Sequence, residues 1–343
     1  MNNIQDFIRG IPKAELHMHI EGCIEPDMMF ALAQRNRIPL RWDSPDALRS
    51  AYQFDDLQSF LTLYFEGCKV LVQEQDFYDV TYDYLVKAHE ENVVRAELFI
   101  GPQSFTERGT PLTELMEGVL GAIRDAEKAL GISAGLIVST HRHRSEADAL
   151  ELLDTIMPWQ DRILGIGMGG AELPNPPSKF VNYFRTCRER GFRTCIHAGE
   201  EGPADYVRQA VDLLKVDRID HGNACLSDPA LVAELVEKQI ALTVCPVSNL
   251  KLSVASSLDA HPLRRLLDAG LKVTINSDDP PYFGAYVNDN FLQCQTALDL
   301  SGEEIIALAR NSITGSFLPA HEMRVLVSKL DEYCAGFQTR GTN

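Results

Sequence analysis

The sequence predicts a parallel (β/α)8 barrel, the TIM-barrel architecture, with extra helices inserted between strands one and two and residues 1–343 forming one domain. Three observations lead there. Eight short apolar runs alternate with longer segments of helical period, and ionisable residues gather at the carboxyl ends of several runs. No Pro/Gly/Ser linker, fixed-period repeat or low-complexity tract divides the chain.

The first strand is "AELHMHI", in which short and long apolar residues alternate with Glu15, His17 and His19. Roughly residues 25 to 91 follow, too many for one crossover helix. Within them "FDDLQSFLTLYFEGCKVLV" and "EQDFYDVTYDYLVKAHEEN" read as added helices, placed to form a lid over the barrel mouth. The remaining strands are "VVRAELFIG" near residue 95, "SAGLIVST" near 135, "ILGIGMG" near 165, "FRTCIHA" near 195, "RIDHG" near 220, "IALTVCP" near 243 and "LKVTINS" near 274. Between them, segments such as "PADYVRQAVDLLK" and "DPALVAELVEKQ" repeat apolar residues at three- and four-residue steps, and Asp or Pro opens the first turn.

Composition narrows the function classes. The 343 residues are 45% hydrophobic and 24% charged, enough for a sizeable core. A net charge of −17 repels a phosphate backbone or an anionic membrane, so a neutral or cationic small molecule is the expected partner, with no nucleic acid and no membrane. The start "MNNIQDFIRGIPKAEL" lacks a cationic segment followed by a long apolar one, and no run approaches the ~18 apolar residues of a membrane span. Eight cysteines are scattered without a CxxC pair, which suits reduced, buried thiols. These features predict a cytoplasmic protein.

Residues i and i+2 of a strand share a face, so His17 and His19 should both point into the barrel at the carboxyl end of strand one. An isolated HxH says little, because a packed or hydrogen-bonded pair reads the same way. The other strand ends add to it. "CIHAGEEG" places His197 and Glu200 at the mouth, "DHG" places His221 there, and "NSDDPPYFG" places Asp278 and Asp279 there. This is the end at which barrel enzymes hold their active sites. His17, His19, His197 and Asp278 make a nitrogen and oxygen donor set that suits zinc, is compatible with iron, and leaves one position for water.

The strings "ELHMHIEG", "HAGEEG", "RIDHG", "LTVCPVSN" and "VTINSDDP", in this order across nearly the whole chain, are similar to those of the adenosine and adenine deaminases, a branch of the metal-dependent amidohydrolases. Within that family "IEPDMMFALAQRN", "PPSKF" and "HAGEEGP" resemble most the adenine deaminases, which act on the free base. The resemblance implies hydrolytic deamination of adenine to hypoxanthine and ammonia, with purine salvage as the setting. It implies that His17, His19, His197 and Asp278 hold one Zn2+ (or Fe2+) per chain, that Glu200 serves as acid, that His221 acts on the attacking water and that Asp279 binds the purine. Glu200 would donate to N1 as C6 is attacked, which requires a pKa raised by burial or by a nearby carboxylate. Asp279 would meet N7 or its proton from the far side of the ring.

Two positions bear on the substrate. In the family a backbone amide after strand four approaches N3 of the purine, and Gly170 is the candidate, with a tight strand-to-loop turn as the alternative. Glu21 stands where adenosine deaminases carry an aspartate that reaches the ribose 5′-hydroxyl; one methylene longer, it intrudes on the ribose space and favours adenine. "GMGGAE" argues the other way, being closer to the glycine form of adenosine deaminases than to the serine form of adenine deaminases. Adenosine is therefore the alternative substrate, and another aminopurine a third. Strand four offers no lysine and only Glu172 beyond its end, so one metal is expected and not a bridged pair.

Neighbouring residues have plainer readings. Met18 and Cys195 read as packing, Cys245 as a buried thiol at the end of strand seven, and Glu15 and Glu201 as structural carboxylates. Asp220 should lie on the opposite face from His221, in an ion pair. His141 and His143 of "THRHRS" form a second HxH, but Arg142 and Arg144 flank it and oppose a cation; His143 is left a supporting hydrogen bond. Two other classes compete. A single-metal hydrolase of cyclic amides would need no ring-protonating glutamate, and Glu200 argues against it. A non-catalytic barrel with a structural metal would have a closed four-ligand site and no acid beside it.

Overall fold

A computed structural model describes residues 4–340. Its eight strands are β1 (Lys13–His19), β2 (Val93–Ile100), β3 (Ser133–His141), β4 (Ile163–Gly169), β5 (Arg193–Ala198), β6 (Arg218–His221), β7 (Ala241–Val244) and β8 (Lys272–Ile275). All are hydrogen-bonded in chain order and every neighbouring pair is parallel. The cylinder is nearly closed by β1 and the segment beyond β8. His19 N donates to Asp278 O at 3.0 Å, Asp278 N donates to His17 O at 3.0 Å, and Leu16 N donates to Asn276 Oδ1 at 2.8 Å. The eight predicted strands are the eight observed ones.

A parallel sheet covered all round buries both faces, and alongside the apolar residues its strands bury Glu97, Thr194, Arg218 and Thr243. Phe99, Ile137 and Cys195 pack together inside the barrel, and the larger apolar cluster fills the layer between strands and outer helices. Deep in the barrel Arg218 pairs with Glu97, both fully buried. The predicted helix at 228–239 forms as Pro229–Lys238, with Asp228 accepting from the amides of Ala230 and Leu231. The one predicted at 203–215 differs. It runs as α-helix over Ala204–Gln209 and then widens to a π-turn over Ala210–Leu214, where the bonds reach five residues back.

The long insertion folds as predicted, as helices that include Pro26–Asn36, Pro45–Ser50, Leu57–Gly67 and Glu74–Glu90. Asp56 and Ser59 close a reciprocal capping box at the start of Leu57–Gly67. That helix lies over the open end of the barrel, with Leu57, Phe60, Leu61, Tyr64 and Phe65 on the wall of the cavity there. All eight cysteines are free, and seven are buried. Among the described residues no helix is long and apolar enough to cross a membrane.

Candidate active site and metal centre

The carboxyl ends of β1, β5 and β6, with the segment beyond β8, bring the predicted residues together. His17 and His19 stand on one face of β1, as alternation requires. His197 Nε2 lies 3.0 Å from His17 Nε2 and 3.2 Å from His19 Nε2. Asp278 Oδ1 lies 3.3 Å from His17 Nε2 and 3.4 Å from His19 Nε2. His221 approaches the same group, its donor atom grouped within 4.8 Å of those of His17, His197 and Asp278.

This arrangement fits a bound cation. His17 Nδ1 faces the carbonyl oxygen of Thr243 at 3.1 Å and so carries the proton, which leaves a lone pair on Nε2. His197 Nδ1 faces Asp220 Oδ2 at 3.5 Å, with the same consequence. The Nε2 atoms of His17, His19 and His197 and the Asp278 carboxylate oxygen thus meet in contacts of 3.0–3.4 Å, which is repulsive between lone pairs unless a positive charge lies among them. Donors ~2.1 Å from a tetrahedral zinc stand ~3.4 Å apart, and the four contacts that His197 and Asp278 make with His17 and His19 are of that size, while His221 groups with His17, His197 and Asp278, and His19 with Asp278 and Asp279. The outer contacts hold the donors in place: Thr243 Oγ1 lies 3.0 Å from His17 Nδ1 and donates to Asp220 Oδ1 at 3.0 Å, and Ser248 Oγ donates to Asp278 Oδ2 at 2.7 Å.

Strict alternation fails at two places, and both serve the site. Sequence reasoning put Asp220 and His221 on opposite faces, with Asp220 in an ion pair. Asp220 does lie 3.7 Å from Arg218 Nε, but it also backs His197, and both Asp220 and His221 reach the interior. His221 has φ +66°, a left-handed backbone that swings its ring back inward. Asp278 also has φ +66°, so Asp278 and Asp279 both reach the cavity although they are adjacent in the chain. Non-glycine residues in this region are strained by about 1–3 kcal/mol and collect at functional sites.

Glu200 is buried, with Oε2 3.4 Å from His221 Nε2. Burial pushes its carboxyl well above the ordinary range, and negative charge at Asp278, Glu172 and Glu201 pushes the same way. Asp279 is likewise raised by burial and by the adjacent Asp278, and its Oδ1 is buried without a hydrogen-bond partner. A Cβ at Gly22 would stand 1.8 Å from that oxygen, so the glycine of "HIEG" makes room for Asp279. Burial lowers His221 well below its usual value, which keeps the ring neutral. Glu21 is buried and lines the cavity, its Oε1 accepting from Gly101 N at 2.6 Å. Gly170 lines the cavity with φ +88°, a turn conformation that favours glycine on its own account.

The remaining histidines behave otherwise. His141 and His143 stack with ring centroids 5.2 Å apart and belong to no donor cluster. His141 nevertheless lines the cavity, with Nε2 2.9 Å from Ser104 Oγ and burial pushing its pKa down to about 3, a neutral ring that sequence reasoning left out of the site. Its place at the end of β3 was the available signal. Arg142 turns away and bonds the carbonyl oxygen of Asn175 at 3.0 and 2.6 Å. Glu15 accepts from Tyr84 Oη at 2.5 Å and from Ser277, Met18 packs in the core, and Glu201 is exposed. Glu172, weighed from sequence only as a second metal ligand, lies against the loop that carries Glu200.

Residues 12–333 match the family model described as adenosine deaminase. The chain is 61% identical over 343 residues, the whole of both chains, to an adenine deaminase of Rhodopseudomonas palustris. It is 48% identical over 330 residues to one of Hahella chejuensis, covering 96% of this chain and 99% of that one. Among solved structures, that of an adenine deaminase from Arthrobacter aurescens superposes with a TM-score of 0.93 at 45% identity, over 95% of this chain and 100% of the other. An amidohydrolase from Burkholderia ambifaria, solved with bound Zn, superposes at 0.90 and 28% identity, over 98% and 94%. With a family model spanning almost its full length and relatives of this identity, the chain belongs to the adenosine deaminase family.

Proposed function

We propose that this protein deaminates adenine, adding water at C6 and releasing ammonia and hypoxanthine. The observation that carries the reaction is the buried Glu200 carboxyl, raised in pKa and facing the same cavity as the donor set. The adenine deaminases at 48–61% identity support the substrate. His17, His19, His197 and Asp278 would hold one zinc per chain, with iron as the alternative. Bound there, it would supply a water that is nucleophilic near neutral pH.

The chain's own groups do the rest. Glu200, held toward its protonated form by burial and the neighbouring carboxylates, gives its proton to N1 as C6 is attacked, so the developing charge falls on a neutral nitrogen. His221, neutral and 3.4 Å from Glu200, orients the attacking water. Asp279, also protonated, offers N7 a donor, which its unpartnered Oδ1 and raised pKa support. The backbone at Gly170 meets N3. Glu21 takes up space a ribose would need, and the apolar side chains of Leu57–Gly67 exclude bulk water. We read residues 1–343 as one catalytic domain acting on free purine in the cytoplasm, in salvage.

Adenosine is the second reading, favoured by the glycines of "GMGGAE" where a serine was expected. The test is ammonia release from purified protein given adenine or adenosine. A higher kcat/KM for adenine is expected, and faster turnover of adenosine would overturn the substrate assignment.

A further inference from the structure

Glu200 sits in an irregular loop, residues 199–203, between β5 and the helix Ala204–Gln209. Four consecutive amides of this loop converge on one side chain. Gly199 N donates to Glu172 Oε1 at 2.7 Å, and the amides of Glu200, Glu201 and Gly202 donate to Glu172 Oε2 at 3.1, 2.8 and 2.8 Å. Glu172 is fully buried and comes from the segment after β4, a different strand end. A Cβ at Gly202 would stand 2.5 Å from Glu172 Oε1, so the last glycine of "HAGEEG" leaves room for the carboxyl group to enter the loop. From the turn just after β3, Arg142 Nη1 donates to His197 O at 2.5 Å and steadies the start of the Glu200 loop.

We propose that Glu172 is a positioning residue for the deamination: by gathering four amides onto its two oxygens it sets the backbone from which Glu200 reaches the purine. The inference rests on the reading of Glu200 as the acid. The chemistry of the side chain is specific. A carboxylate has lone pairs for about four donors, whereas an amide of the same shape offers one oxygen and turns N–H groups toward other N–H groups. Glu172→Gln therefore keeps the volume and breaks the clamp. A carboxyl group that only filled a polar gap in the loop would leave turnover unchanged when replaced by its isostere.

The test uses the full chain in four forms: parent, Glu172→Gln, Glu200→Gln and the double variant. For each, kcat and KM for adenine, metal content and hydrogen exchange of the 199–202 amides are measured. Glu172→Gln should lower kcat by about 10–100-fold, the usual cost of losing a group that supports a reacting one, with KM and metal content near those of the parent and exchange at 199–202 accelerated. In the double variant it should cost nothing beyond Glu200→Gln, since it acts through that side chain. Losses that multiply in the double variant, or a loss carried by KM or by metal content, would overturn the inference. If Glu172→Gln does not fold, Gly202→Ala disturbs the same clamp from the loop side. A folded Gly202→Ala with accelerated exchange and parental kcat overturns it as well. Normal turnover in Glu200→Gln would sink the acid assignment and this inference together, whereas multiplicative losses beside a crippled Glu200→Gln sink only this one.

Discussion

Glu200 couples chemistry to stability through one carboxyl group. Its folded pKa lies well above the ordinary carboxyl range, because burial and the neighbouring carboxylates oppose its charge. As pH rises past the ordinary carboxylate range the unfolded chain loses this proton while the folded chain keeps it, so the folded state is progressively penalised until the folded pKa is passed. With Glu200 read as the acid, the active form is the protonated one, so kcat for adenine should fall as pH climbs through that raised value. Glu200→Gln cannot ionise. It should lose ~10²–10⁴ in kcat, retain metal and purine binding, and melt higher than the parent at neutral pH. A lower melting temperature would contradict the stated cost of burying the acid. On the reading that Glu21 takes up the space a ribose would need, Glu21→Asp should raise kcat/KM for adenosine relative to adenine by relieving overlap. An unchanged ratio would show that Glu21 does not exclude the ribose.

Among the elements, the short strands place the donors and the inserted helix covers them. Leu57–Gly67 contributes five apolar side chains to the cavity wall but is only 11 residues long, so its own hydrogen bonds hold it weakly and its cap matters. The exposed Asp56–Ser59 box satisfies the first amides of this helix. Asp56→Ala should loosen it by about 0.5–2 kcal/mol. Because Asp56 touches none of the donor set, the expected result is a higher KM for adenine with metal content unchanged. Loss of metal in that variant would mean that the cover and the metal centre are one unit. The strand-end placement of His17, His19, His197, Asp278 and Asp279 was readable from alternation and position, while the turns at His221 and Asp278 were not. A left-handed φ at a non-glycine residue is held by surrounding structure, and no local sequence preference announces it.

At the scale of the whole molecule the candidate metal centre draws on residues of the first strand and of the segment beyond the last. His17 and His19 come from residues 17 and 19, Asp278 from the far side of the chain, and His197 from the opposite wall, so a shared ion would hold closed the β1–β8 seam, where strand pairing is thinnest. Removing it with a chelator should lower the melting temperature, and adding zinc back should restore it. Elemental analysis should find close to one ion per chain. His17→Ala should lose metal and activity together and show little response of melting temperature to chelator. A melting temperature of the parent that ignores chelation would argue that the donors hold nothing in solution. Apolar period and strand-end position were enough to read the barrel and to nominate the candidate donors, because apolar period is a local property and strand ends in this architecture converge by topology. The sequence also carried the family, because five motifs in order are far more specific than any one. Which neighbours support those residues came from the folded chain: Glu172 gathering the loop of Glu200, Gly22 making room for Asp279, His141 in the cavity wall and Asp220 behind His197. Each of these is a contact between segments far apart in the chain, set by where the backbone turns, and a sequence pattern holds no record of the distance between two such segments.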